Sequence, residues 1–131
     1  IGPDAESEQW VSAVAGFAGA PHVVLEKVRR GDRDVSVSIP DPAALQGRTP
    51  VLVDDIISTG RTMAAAVRHL VSQGLKPPVC VGVHAVFSGD AQQALRAAGA
   101  ALVVTTDTIP HPSNGISVDQ AIAHAVAALL P

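Results

Sequence analysis

The sequence predicts an α/β fold, a parallel sheet with helices on both faces. Short segments apolar on both faces, such as Val51-Leu52-Val53, alternate with amphipathic stretches of helical period. This strand-then-helix rhythm repeats through the second half of the chain without a low-complexity linker. The 131 residues, 47% of them apolar, can bury one core but not two, so residues 1–131 are expected to form a single domain.

Taken in order, residues 6–18 form a helix with Trp10, Val14 and Phe17 at i, i+4 and i+7 on one face, and Gly19 ends it. Residues 22–27 carry Val-Val-Leu, and Val35, Val37 and Ile39 alternate with polar neighbours, so both segments read as strands. Between them Arg29-Arg30-Gly31-Asp32-Arg33-Asp34 has no apolar period and is expected to be a mobile hairpin loop. Residues 40–50 are a turn-rich connection. A strand at 51–53 leads to a helix at 62–73 closed by Gly74, and a strand at 79–87 to a helix at 90–98 closed by Gly99. Last come a strand at 101–105, a Pro-rich loop at 109–115 and an Ala/Leu/Val-rich helix at 119–130.

Composition narrows the function. A net charge of -3, with no dense Lys/Arg tract and only Trp10, Phe17 and Phe87 as aromatic residues, argues against a nucleic-acid partner. Pro, Gly or charge interrupts every apolar run before membrane-spanning length, so no membrane partner is expected. Cys80 is the single cysteine and cannot form an internal disulfide, which fits a reducing, cytoplasmic setting. The opening Ile-Gly-Pro-Asp has no methionine and starts inside a motif, so the chain reads as a fragment.

The chemistry concentrates in Val51-Leu52-Val53-Asp54-Asp55-Ile56-Ile57-Ser58-Thr59-Gly60-Arg61-Thr62. A buried strand delivers two carboxylates to its C-terminal edge, where open α/β sheets bind ligands. The loop then turns directly into a helix. Backbone N–H groups from Ser58 to Thr62, with the Thr59 and Thr62 hydroxyls, would cradle a phosphate monoester. Adjacent carboxylates suit hydroxyl groups or a divalent cation, and a ribose phosphate brings need of both. The same residues would also serve as a plain strand terminus and helix cap.

The run Val-Asp-Asp-Ile-Ile-Ser-Thr-Gly-Arg-Thr resembles the motif of enzymes that make or use 5-phosphoribosyl-1-pyrophosphate. The flanks narrow the likeness: Gly-Pro-Asp4, Lys27-Val-Arg29, His84-Ala-Val-Phe87-Ser-Gly-Asp-Ala and Thr106-Asp-Thr-Ile-Pro-His111 resemble ribose-phosphate pyrophosphokinases, over nearly the whole chain. The resemblance is to the C-terminal half of that enzyme and implies a phosphoribosyltransferase-type domain whose N-terminal, ATP-binding half is absent. It implies Mg²⁺-dependent transfer of diphosphate from ATP to ribose 5-phosphate, giving 5-phosphoribosyl-1-pyrophosphate and AMP. It also implies a homo-oligomer.

Residue by residue, the resemblance makes Asp54 and Asp55 the acids that hold the ribose hydroxyls and associated magnesium, with Asp4 near a metal. Ser58, Thr59, Gly60, Arg61 and Thr62 become the 5-phosphate loop. Lys27 and Arg29 become the catalytic basic pair on a lid that neutralises charge on the transferred diphosphate. Two positions depart from the pattern: Ser58 stands where several relatives have an acid, and Arg61 where a small residue is frequent. A phosphoribosyltransferase consuming the product is the first alternative, and a non-catalytic, synthase-like regulatory subunit the second. His84, His111 and His124 are scattered singly and receive no catalytic role, and Cys80 is expected to be an inert core residue.

Overall fold

The computed structural model describes residues 1–29, 35–40 and 42–130, with side chains described outside 27–37, 42 and 44. The charged loop at 30–34 lies outside the described residues. The elements run in order: a 3-10 turn Ala5–Ser7, helix α1 (Glu8–Ala18), strands β1 (Glu26–Arg29) and β2 (Val35–Ser38), a 3-10 turn Pro42–Leu45, β3 (Val51–Ile56), α2 (Arg61–Ser72), β4 (Val79–His84), α3 (Ala91–Ala97), β5 (Leu102–Thr106), β6 (Asn114–Ile116) and α4 (Asp119–Ala127). Strands β3-β4-β5-β6 form a parallel sheet in that order, while β1 and β2 form an antiparallel hairpin.

Residues 1–2 extend the parallel sheet beyond β3. The Ile1 amino group donates to the Val51 carbonyl at 2.7 Å, and the Val53 amide donates back to the Ile1 carbonyl at 3.0 Å. On the other side Gly2 bridges Val24 in parallel, with its amide on the Val23 carbonyl and its carbonyl accepting the Leu25 amide, each at 2.9 Å. Asp4 therefore leaves the same end of the sheet as Asp54.

Register explains the core. Leu52, Cys80 and Val103 are aligned across β3, β4 and β5, so they share one face, and all three are buried with Met63, Val67 and Leu70 of α2 and Leu95 of α3. Val53 turns to the opposite face, where α1 lies. Each fully buried Leu or Val of this kind contributes roughly 1.5–3 kcal/mol, which fixes the strand ends relative to the helix starts.

Several expectations are corrected. Helix α1 does not turn its whole Trp10, Val14 and Phe17 stripe inward: Trp10 is half-buried with its Nε1 enclosed, but Val11 is the buried residue, Val14 is 47% exposed and Phe17 is 96% exposed. Val11, Ala15 and Ala18 form a second stripe of helical spacing and, together with Val14, line the groove beside Val51 and Val53. β3 continues through both aspartates to Ile56 instead of stopping at residue 53. The Pro-rich loop contains the short strand β6, tied to β5 by the Asn114 side chain, which donates to the Thr106 carbonyl at 2.6 Å and to Thr105 Oγ1 at 3.0 Å. Helix α4 ends at Ala127 and buries no residue; Ile122, Val126, Leu129 and Leu130 stay exposed. No helix among the described residues is long and apolar enough to cross a membrane.

Candidate functional site

The C-terminal edge of β3 runs into a four-residue loop, residues 57–60, and then into α2. Ile57 anchors the loop: its side chain is buried, and its amide donates to the His84 carbonyl at 3.1 Å. Gly60 makes the turn into the helix at φ 67°, a left-handed conformation that favours glycine, and its carbonyl receives the first helical bond from the Ala64 amide at 2.8 Å. The loop backbone is braced from the next βα connection. Phe87 donates its amide to the Ile57 carbonyl at 2.8 Å, and Ser88 donates its amide to the Ser58 carbonyl at 3.0 Å.

A cavity of about 150 Å³ opens over this turn, lined by Asp54 and residues 56–63. The first amides of α2 have no acceptor within their own helix. Among the described residues, no protein acceptor meets the amides of Ser58, Thr59 and Gly60 either. The helix N-terminus adds its partial positive charge, so the cavity presents donors to an anion. Arg61 is exposed at its rim, and Thr59 and Thr62 also line it.

Successive strand residues face opposite sides, so Asp54 and Asp55 leave β3 in opposite directions. Asp54 is half-buried and lines the cavity, whereas Asp55 is exposed and does not. The Asp54 carboxyl is pushed up to about 6, first by burial and then by the negative charges of Asp55 and Asp4. It accepts the Asp55 amide at 3.1 Å, and Asp55 in turn accepts the Ile56 amide at 2.7 Å. Asp4 is thus close enough to Asp54 to act on it through space. Its backbone carbonyl accepts both the amide and the hydroxyl of Ser7.

Among the described residues, no group of three or more His, Cys, Asp or Glu side chains is arranged to hold a metal ion. Asp54 nevertheless suits magnesium. It is a hard oxygen ligand with two acidic neighbours, Asp55 and Asp4, and Mg²⁺ is commonly held by one or two carboxylates together with substrate oxygens.

Lys27 and Arg29 sit two residues apart on β1 and therefore on one face of that strand; their side chains lie outside the described ones. His84 and His111 have structural partners: His84 Nδ1 lies 2.9 Å from Thr108 Oγ1, and His111 Nδ1 lies 2.8 Å from Ser113 Oγ. Cys80 is fully buried and burial pushes its thiol up to about 12, as an inert core residue requires.

The bracing by residues 87–88 carries no sequence signal, because Phe87-Ser-Gly-Asp reads simply as a strand exit and helix cap. Asp90 does hold the N-cap position of α3, but its side chain makes no cap hydrogen bond.

Comparison with known proteins gives consistent results. The phosphoribosyl transferase domain model matches residues 1–121. Ribose-phosphate pyrophosphokinase of Methanopyrus kandleri is 37% identical over 96% of this chain and 43% of its own length. Ribose-phosphate pyrophosphokinase 2 of Archaeoglobus fulgidus is 38% identical over 96% of this chain and 46% of its own. The crystal structure of phosphoribosylpyrophosphate synthetase from Mycobacterium smegmatis superimposes with a TM-score of 0.75 at 29% identity, over 98% of this chain and 43% of that one. The chain spans less than half the length of these relatives.

Proposed function

The chain belongs to the phosphoribosyl transferase domain family and is homologous to ribose-phosphate pyrophosphokinases, and from that premise we propose that it is the sugar-phosphate-binding, C-terminal half of a ribose-phosphate diphosphokinase. The observation that carries this reading is the row of amides at Ser58, Thr59 and Gly60, open to an anion beside the half-buried Asp54. The 5-phosphate of ribose 5-phosphate sits in the cavity, held by the loop amides and the Thr59 and Thr62 hydroxyls. Asp54 faces the ribose from the strand end, and Asp4 and Asp55 add the negative charge that draws in magnesium.

In the reaction, the 1-hydroxyl oxygen of the ribose attacks the β-phosphorus of ATP. The bond from that phosphorus to the oxygen shared with the α-phosphate breaks, AMP departs with the electron pair of that bond, and the hydroxyl proton passes to solvent. Such a transfer rests on positioning and charge neutralisation. Lys27 and Arg29 neutralise charge on the moving diphosphate; Asp54 would hold magnesium together with substrate oxygens, with Asp4 and Asp55 adding negative charge nearby, and the metal would supply further neutralisation when bound. The ATP pocket is assigned to a second domain outside this chain. The assembly is a homo-oligomer and works in the cytoplasm.

Calorimetric titration with ribose 5-phosphate, with and without Mg²⁺, tests the site; saturable binding supports the reading and no heat at millimolar ligand counts against it. The family model itself favours one second reading, a phosphoribosyltransferase. Formation of a nucleotide from 5-phosphoribosyl-1-pyrophosphate and a nucleobase would establish that one instead.

A further inference from the structure

We propose that residues 87–88 act as a strap that aims the Ser58 and Thr59 amides at the bound phosphate, with Phe87 and Ser88 as positioning residues. The inference rests on the reading of the loop as a phosphate site.

In a trans peptide the carbonyl and the following N–H point in opposite directions, and the described backbone holds no cis bond. The Phe87 amide ties down the Ile57 carbonyl, so the N–H of Ser58 is turned away from the strap. By the same geometry, the Ser88 amide on the Ser58 carbonyl turns away the N–H of Thr59. Ser58 and Thr59 both line the cavity, and neither amide meets a protein acceptor among the described residues. Two hydrogen bonds from one strap thus preset two donors. A loop already ordered loses less freedom when the anion arrives.

The strap is itself held under backbone strain. Phe87 has φ 38°, the one positive value among the described non-glycine residues. A phenylalanine keeps such a conformation only where its surroundings overdetermine it. Its ring packs against the main core and stands 4.5 Å from the His111 ring. A lateral contact completes the link, with Ser58 Oγ 3.2 Å from Ser88 Oγ. Strain at Phe87 is the arrangement expected of a positioning element and has no use in a simple strand exit.

The test compares Ser88→Pro with Ser88→Ala. Proline removes the amide and disfavours the positive φ of the residue before it, while alanine keeps the amide and loses only the hydroxyl. By calorimetry, Ser88→Pro should weaken ribose 5-phosphate binding by about tenfold or more, the loss expected for charge-assisted donors pointed wrongly. Ser88→Ala should stay within about threefold. Should Ser88→Pro fail to fold, amide spectra of the unaltered chain decide: the Ser58 and Thr59 signals should move saturably with inorganic phosphate. A folded Ser88→Pro variant with unchanged affinity, or Ser58 and Thr59 signals unmoved at saturation, overturns the strap while leaving the site intact. Failure of the unaltered chain to bind ribose 5-phosphate or inorganic phosphate overturns the site reading and the strap together.

Discussion

The Ile57 side chain fills the space that a side chain at residue 82 would need: a Cβ on Gly82 would stand 2.6 Å from Ile57 Cδ1 and 2.7 Å from Ile57 Cγ1. Gly82 lies in β4 opposite Asp54 of β3, so the missing side chain lets the first loop residue drop onto the sheet directly beside the acid. Gly82→Ala should therefore cost about 1–3 kcal/mol by overpacking. It should also weaken ribose 5-phosphate binding, because displacing Ile57 disturbs the loop that follows it. A thermal melt and a titration on the same sample check both; an unchanged melting temperature contradicts the close packing.

The Asp54 carboxyl gives a pH dependence of defined sign. Its value in the folded chain, about 6, lies above the ordinary 3.8, so folding favours the protonated form. Its stabilising contribution is complete below the ordinary value and is lost as pH rises through about 6. Asp54→Asn in the metal-free chain should consequently raise the melting temperature above pH 6 and flatten its change between about pH 4 and 6. Ribose 5-phosphate affinity in Mg²⁺ should fall in the same variant, the trade of stability against binding expected where an acid is kept for a ligand. A variant melting lower than the parent at pH 8 would contradict this.

Much of this site is legible in the amino-acid sequence. The apolar run at 51–53 followed by two acids and a Ser-Thr-Gly turn places strand, loop and helix in sequence, because burial and turn chemistry act locally there. The strand overruns its expected end because its backbone pairing with β4 extends to Ile56, paired with His84. Other features depend on distant partners. Two stripes in residues 8–18 both have helical spacing, and only packing against β3 decides that Val11 is the buried residue while Phe17 stays in solvent. β6 spans three residues and shows no alternation long enough to read; it exists through Asn114 and β5. Nothing in Phe87-Ser-Gly-Asp signals a positive φ, since that conformation is imposed by bonds to Ile57 and Ser58, far back along the chain.

In the proposed reaction Lys27 and Arg29 act on the transferred diphosphate and not on the sugar. Lys27→Ala or Arg29→Ala should cut turnover on the order of 10²-fold in the complete enzyme, since each removes a donor to charge developing in the transition state. Binding of ribose 5-phosphate to the 131-residue chain should stay within about twofold of the parent. A large loss of sugar-phosphate affinity with unchanged turnover would move the pair into ground-state binding.

Cys80 is expected to resist thiol reagents in the native chain. It is fully buried, with its thiol pushed up to about 12, so almost no thiolate is present or reachable at neutral pH. An aromatic disulfide reagent should react with it only after denaturant is added. Rapid, stoichiometric labelling of the folded chain would contradict its place beneath α2.

In the proposed function the turn from β3 into α2 binds a sugar phosphate beside the acids. Backbone amide spectra of the chain, recorded during titration with ribose 5-phosphate in Mg²⁺, measure this most directly. Saturable shifts are expected to concentrate at Asp54, Asp55 and residues 58–62, with weaker binding when Mg²⁺ is withdrawn. Shifts absent there at millimolar ligand, or clustered instead in the apolar groove between α1 and β3, would contradict it.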